Sequence, residues 1–135
     1  MYGGRDYPQH ANAQVLAFAM IETASGLDAL NALDALDAIA AVPHLDGLFV
    51  GPSDLGIALG LGPGAQYDHP VMAKALQRVA YACAAAGKVA GVWCGSAEMA
   101  HAMSNTGYGF VVPGHDVIWL QAEMARRLAV VRSGA

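Results

Sequence analysis

The feature that most constrains this chain is an alternation, four times over, of a short unbroken apolar run with a stretch at helical spacing. The runs are Val15 to Ile21, Leu48 to Val50, Val89 to Trp93 and Phe110 to Val112. A strand wetted on one side alternates apolar with polar residues, so runs without that alternation suit parallel strands covered on both faces. The helical stretches that follow are Ser25 to Val42, Pro70 to Ala86, Ser96 to Thr106 and Val117 to Arg132. Strict alternation of strand and helix predicts an α/β fold of four consecutive βα units on a parallel sheet. Four such units make either an open sheet or half of an eight-stranded barrel, and both place chemistry at the C-terminal ends of the strands.

Local signals agree with the alternation. Asp68-His69-Pro70 puts a capping aspartate and a proline at a helix start, and Gly87-Lys88 ends that helix. Gly95-Ser96-Ala97-Glu98 opens the next, Gly107 closes it, and Asp116 is placed to cap the last. In that last helix Ile118, Ala122, Ala125, Leu128 and Ala129 form an apolar face, with Glu123, Arg126, Arg127 and Arg132 toward solvent. From Leu27 to Ala38 the chain runs in Leu-Asp-Ala or Leu-Asn-Ala triplets. A period of three walks each leucine back around the helix by about 60°, so the repeat reads as a helix lengthened at the surface.

Composition narrows the function. With 135 residues the chain is one domain at most, and residues 1–135 read as a single partial domain. It is 56% hydrophobic and 13% charged, against about 45–50% and about 25% in ordinary soluble domains, so its apolar excess has to be covered. A net charge of -4 gives no electrostatic footprint for nucleic acid or an anionic membrane. No segment approaches the roughly 18 continuous apolar residues of a membrane helix, and the opening residues lack the order of a signal peptide. Two cysteines, Cys83 and Cys94, make no disulfide framework, which points to a reducing cytoplasm.

The strand ends hold the candidates. The first ends in Met20-Ile21-Glu22-Thr23, a carboxylate that is costly to desolvate without a cation or donor. A helix cap or salt bridge and a metal ligand are equally compatible with it. The second ends in Gly51-Pro52-Ser53-Asp54-Leu55. There a tight turn aims the Ser53 and Asp54 amides out of the strand mouth, where a carboxylate or phosphate could be held. Asp54 adds a second hard oxygen donor suited to Mg²⁺ or Mn²⁺; the structural alternative is an N-cap for a short helix starting near Leu55. Trp93 could wall a small pocket or simply pack. Cys94 has no histidine near it in sequence, and His115-Asp116 suits a rim histidine beside a capping aspartate. No Walker loop, dinucleotide fingerprint or serine nucleophile elbow is present.

Together, Ile21-Glu22-Thr23, the segment Leu45-Asp46-Gly47-Leu48-Phe49-Val50-Gly51-Pro52-Ser53-Asp54-Leu55, Ala86-Gly87-Lys88 before Gly91, and Phe110-Val111-Val112 with Gly114 and Asp116 resemble the HpcH/HpaI aldolase family. These are class II pyruvate aldolases related to the citrate lyase β-subunit. Tyr7 and Ala11-Asn12 resemble the helix before the family's fifth strand. The resemblance implies the second half of a TIM (β/α)₈ barrel. It implies Glu22 and Asp54 as ligands of a divalent metal (Mg²⁺, Mn²⁺ or Co²⁺) and the Gly51-Pro52-Ser53-Asp54 turn as the seat of a substrate carboxylate. Trp93 falls where the family has an apolar pocket residue.

The implied reaction is reversible cleavage of a 4-hydroxy-2-oxo acid to pyruvate, or a similar 2-oxo acid, plus an aldehyde. The family's general-base histidine and enolate-supporting arginine lie in the first half of the barrel, matched by no residue here, so the catalytic residues stay unassigned and the chain reads as a truncated, split or mis-started aldolase. Met20 stands where many members carry glutamine. A half-barrel leaves two sheet edges and an inner face open, so a homo-oligomer or a complementary barrel half is the expected partner. Two other readings stand beside this one: a non-catalytic binding or assembly module on half of the fold, and an open flavodoxin-like α/β domain, which needs a fifth strand near residues 1–10.

Overall fold

The computed structural model describes residues 6–23 and 34–133. In chain order these form α1 (Tyr7–Gln14), β1 (Phe18–Ile21), α2 (Asp34–Ala40), β2 (Gly47–Val50), α3 (Pro52–Ala58), α4 (Pro70–Ala85), β3 (Val89–Trp93), α5 (Ala97–Ser104), β4 (Phe110–Val112) and α6 (Asp116–Ser133). The strands lie in the order β1-β2-β3-β4, all parallel, with Ile21 level with Val50, Val50 with Val92, and Val92 with Val111. Doubly wound sheets reverse their strand order partway; this one does not. Of residues 1–10, where a flavodoxin-like fold would need its extra strand, those from Tyr7 onward lie in helix α1. The sequential order is that of a barrel wall.

The sheet has two unlike faces. Ile21, Leu48, Val50, Ala90 and Val92 point to the helices and are buried with Leu36, Leu55, Met72, Val79 and Cys83 in one core. The alternate residues Phe18, Met20, Phe49, Val89 and Phe110 line the other face, where Met20, Val89 and Phe110 are exposed. Phe18 and Phe110 belong to opposite edge strands, which a flat sheet would hold three spacings of about 4.8 Å apart. Their ring centroids nevertheless lie 5.4 Å apart, and Phe49 sits 5.6 Å from Phe110. The sheet is therefore curved, with the rings meeting across its concave side.

Asp46 and Lys88, both in motif segments, work at the rim opposite the strand mouths. The Ala17 amide donates to the Asp46 carboxylate (2.6 Å), the Asp46 amide to the Ala17 carbonyl (2.8 Å), and the Val89 amide to the Asp46 carbonyl (3.0 Å). Lys88 Nζ donates to the Leu45 carbonyl at 2.6 Å. One aspartate thus sets the register of three strands.

Several sequence expectations change. The first strand begins at Phe18, since Val15 and Leu16 lie exposed before it. The helix expected over Ser25 to Val42 is described only as α2, and most of the triplet repeat lies outside the described residues; Leu36 is buried and Asp37 pairs with Arg78 at 2.9 Å. His69, not Asp68, caps α4: its Nδ1 accepts from the Val71 amide at 3.2 Å, because Pro70 takes the first helical position and puts His69 at the cap. Ser96 caps α5 as expected, accepting from the Met99 amide at 3.2 Å. Asp116 is the first residue of α6 rather than a preceding cap, and its carboxylate accepts from the Val117 amide at 2.9 Å.

The largest difference is α6, which buries none of its residues. Its expected apolar face around Ile118 is uncovered, and a tighter stripe of Val117, Leu120, Met124, Leu128 and Val131, about 80° wide at 100° per residue, is exposed too.

In the core, the buried Tyr108 hydroxyl donates to the Leu76 carbonyl at 2.9 Å, and burial raises its pKa. Tyr108→Phe removes one hydrogen bond from a carbonyl that keeps its partner within α4, and chemical denaturation should read a loss of about 0.5–1.5 kcal/mol.

Candidate functional site

The strand mouths are built by two segments that the register brings level. Ile21 is paired with Val50, so Glu22 and Gly51 are the next residues out, and the Gly51 amide still donates to the Ile21 carbonyl at 3.3 Å. Alternation then turns Glu22 to the concave face together with Met20 and Phe18. Its side chain is half-buried. A methyl group placed on Gly51 would stand 3.3 Å from Glu22 Oε2 and 3.4 Å from Met20 Cε. The glutamate carboxylate therefore lies directly on the bare backbone of the Gly51-Pro52 turn.

That turn leads at once into a helix. Gly51 is the N-cap of α3, and Pro52, buried, holds its first position, where a missing N–H costs nothing. The helix expected to start near Leu55 thus starts three residues earlier. Ser53 and Asp54 are in its first turn, where amides have no carbonyl four residues back to bond. Asp54 is exposed, and its negative charge is favourable at that end of the helix dipole.

One strand over, Val50 is level with Val92, which brings half-buried Trp93 to the height of Gly51. The Trp93 carbonyl accepts the Tyr67 hydroxyl, tying β3 to the loop before α4; burial raises the pKa of that tyrosine. Cys94 is fully buried on the helix side, where desolvation raises the thiol pKa and disfavours the thiolate. His115 is exposed beyond β4. A groove lined by Tyr67, Pro70, Lys74, Gln77, Met103 and Thr106 runs between α4 and the end of α5, away from the glutamate.

Glu22, Gly51, Pro52, Ser53, Asp54 and Trp93 thus share one rim of the curved sheet, and Glu22 is in contact with the turn that carries the others on β2. Among the described residues no group of three or more histidines, cysteines, aspartates and glutamates converges as a metal cage. Two carboxylates fit a hard divalent ion that keeps several waters, as Mg²⁺ does when held by one or two carboxylates. One of them lies 3.3 Å from where a Gly51 Cβ would stand, closer than ordinary van der Waals contact. Sequence reasoning singled out these residues, and Met20, which the resemblance puts two residues before Glu22 where many members carry glutamine, flanks the glutamate from the same strand. Their spacing of two in a strand, placing both on one face, was the signal for it.

Four parallel strands in sequential order, alternating with helices and curved to one side, form an α/β scaffold of the barrel type. Residues 3–121 match the model of the HpcH/HpaI aldolase/citrate lyase family, and the chain belongs to that family. It is 36% identical over 130 residues to a hydroxypyruvate/pyruvate aldolase of Paraburkholderia phytofirmans, covering 96% of this chain and 46% of that protein. It is 34% identical over 129 residues to a 2-keto-3-deoxy-L-rhamnonate aldolase of Escherichia coli, covering 96% and 45%. The crystal structure of a family protein from Burkholderia cenocepacia superposes with a TM-score of 0.79 at 37% identity, covering 95% of this chain and 47% of that one. The chain spans about half the length of these relatives.

Proposed function

We propose that the chain carries the metal-binding half of a divalent-metal aldolase that cleaves a 4-hydroxy-2-oxo acid to pyruvate, or a similar 2-oxo acid, and an aldehyde. The observation that carries the reading is the Glu22 carboxylate lying on the Gly51-Pro52 turn, which brings one hard oxygen donor to the loop bearing the second, Asp54. Both relatives named above are aldolases, and the name of one specifies pyruvate. In this reading Glu22 and Asp54 hold Mg²⁺, Mn²⁺ or Co²⁺, which when bound supplies Lewis-acid stabilisation of charge developing on the 2-oxo acid. The Ser53 and Asp54 amides orient the substrate carboxylate, and Trp93 walls the pocket against water. The proton-transfer groups belong to the half of the barrel that lies outside this chain's match.

Partners follow from the surfaces. The concave face and the apolar stripe of α6 call for a neighbouring subunit or a complementary barrel half. The protein's other partner is a small 2-oxo acid rather than nucleic acid. No helix among the described residues is long and apolar enough to cross a membrane, and two free, buried thiols suit a reducing cytoplasm.

The test is a thermal-shift titration of wild type and Glu22→Ala with Mg²⁺, Mn²⁺ or Co²⁺, with and without pyruvate. A ligand specific for the folded state stabilises it by RT ln(1 + [L]/Kd), about 2.7 kcal/mol at a hundredfold excess over Kd. Stabilisation by metal and pyruvate together that disappears in Glu22→Ala is the expected result. The chain's match to about half of each relative favours a second reading, a non-catalytic binding or assembly module. No shift in a folded wild-type chain would replace the aldolase reading with that one.

A further inference from the structure

Gly51 has no backbone reason to be glycine. Its φ of -95° is negative, outside the left-handed region that favours glycine. This sets it apart from Gly87 and Gly107, whose φ values of +66° and +95° demand glycine at helix ends. What a side chain at Gly51 would meet is the site itself: Glu22 Oε2 at 3.3 Å, Met20 Cε at 3.4 Å and Glu22 Cβ at 3.5 Å. The Met20 methyl is the free end of a flexible chain, exposed on the concave face, and can swing away. The Glu22 carboxylate is also the end of a flexible chain, but its Cβ, one residue beyond β1, faces Gly51 at 3.5 Å, so any retreat turns the carboxylate away from the turn.

We propose that Gly51 is a positioning residue for Glu22, its bare Cα forming the seat that holds the glutamate carboxylate against the turn leading to Ser53 and Asp54. The proposal rests on the reading of Glu22 as a metal ligand for its functional meaning, though the contact itself does not depend on metal. Adding a methyl displaces the carboxylate by a few tenths of an ångström toward open space. The glutamate remains in place as a residue but loses its aim.

The test uses wild type, Gly51→Ala, Glu22→Asp, the double variant and Glu22→Ala. Two measurements are made on each: the ¹³C resonance of the residue-22 carboxyl without metal, where that carboxyl exists, and Mn²⁺ affinity by the loss of the free-ion electron paramagnetic resonance signal. In Gly51→Ala the Glu22 carboxyl resonance should move while that of Glu98, on α5, stays. Its Mn²⁺ affinity should fall about three- to tenfold, at or below the low end of substitutions that disturb ligand orientation. Aspartate draws the carboxylate back by one methylene, so in the Glu22→Asp background the extra methyl should cost nothing further. A role confined to the turn would weaken both backgrounds by the same factor, and that result, or an unmoved Glu22 resonance with wild-type affinity, overturns the proposal. Wild-type Mn²⁺ affinity in Glu22→Ala would instead overturn the metal reading, leaving the metal-free resonance to decide whether Gly51 seats the glutamate.

Discussion

Gly47→Ala should unfold the chain or cost about 3 kcal/mol or more, read as the shift in its urea midpoint by far-ultraviolet circular dichroism. A Cβ there would run into the backbone carbonyl oxygen of Val89 on the neighbouring strand and into the Phe18 ring lying over β2. The ring could turn aside, but the carbonyl belongs to the β2–β3 pairing, which holds Gly47 level with Val89. Relief therefore means breaking the ladder at the rim where Asp46 joins three strands. Gly91→Ala is the control. Its Cβ would come 2.7 Å from Phe49 Cδ2, 3.3 Å from Phe110 Cδ1 and 3.4 Å from the Leu48 carbonyl, so the worst contact is with a ring that can swing over the open concave face. It should cost about 1 kcal/mol. Equal losses for the two would show that Gly47 is not set by the strand pairing.

The same pair of glycines marks what a sequence can and cannot disclose. The helix-facing set Leu48, Val50, Ala90 and Val92 was legible because a parallel strand covered on both faces is an unbroken apolar run. Phe49 and Phe110 belonged to the same runs, but nothing along the chain says that Phe110 reaches Phe18 across the sheet. That contact depends on curvature, a property of all four strands together, and glycines 47 and 91 have meaning only once the rings lie over them. The candidate site divides likewise. Glu22 stood out because a carboxylate at the end of a buried strand is expensive without a partner, and Asp54 because it adds a hard oxygen donor after the next strand. Gly51 looked like a glycine that its turn requires, and its negative φ shows that the backbone there does not demand one. His69 displaced Asp68 as the cap because Pro70 fixes where the helix begins, and both residues are plausible caps from sequence alone.

The second large effect concerns α6. Val117, Leu120, Met124, Leu128 and Val131 are 52%, 62%, 55%, 49% and 73% exposed along one side of a helix that buries nothing. Singly exposed apolar residues are ordinary, but an 18-residue helix with a continuous apolar stripe gains no tertiary stabilisation, and helices of about this length are marginal alone in water. The Glu123 carboxylate accepts from Arg126 and Arg127 at 2.7 Å, pairs that solvent screens at such exposure and that do not replace tertiary packing. If the stripe packs on a neighbouring subunit, Leu120→Glu with Met124→Glu should reduce the mass in light scattering to that of a single 13.9 kDa chain. The substitutions bury charge only in the associated state, so the dilute monomer should keep its denaturation midpoint within about 0.5 kcal/mol. An unchanged mass would move the association to the concave face, where Met20, Val89 and Phe110 are the other exposed apolar surface. It would also mean that completing the barrel, rather than exchanging its last helix, is what covers this chain.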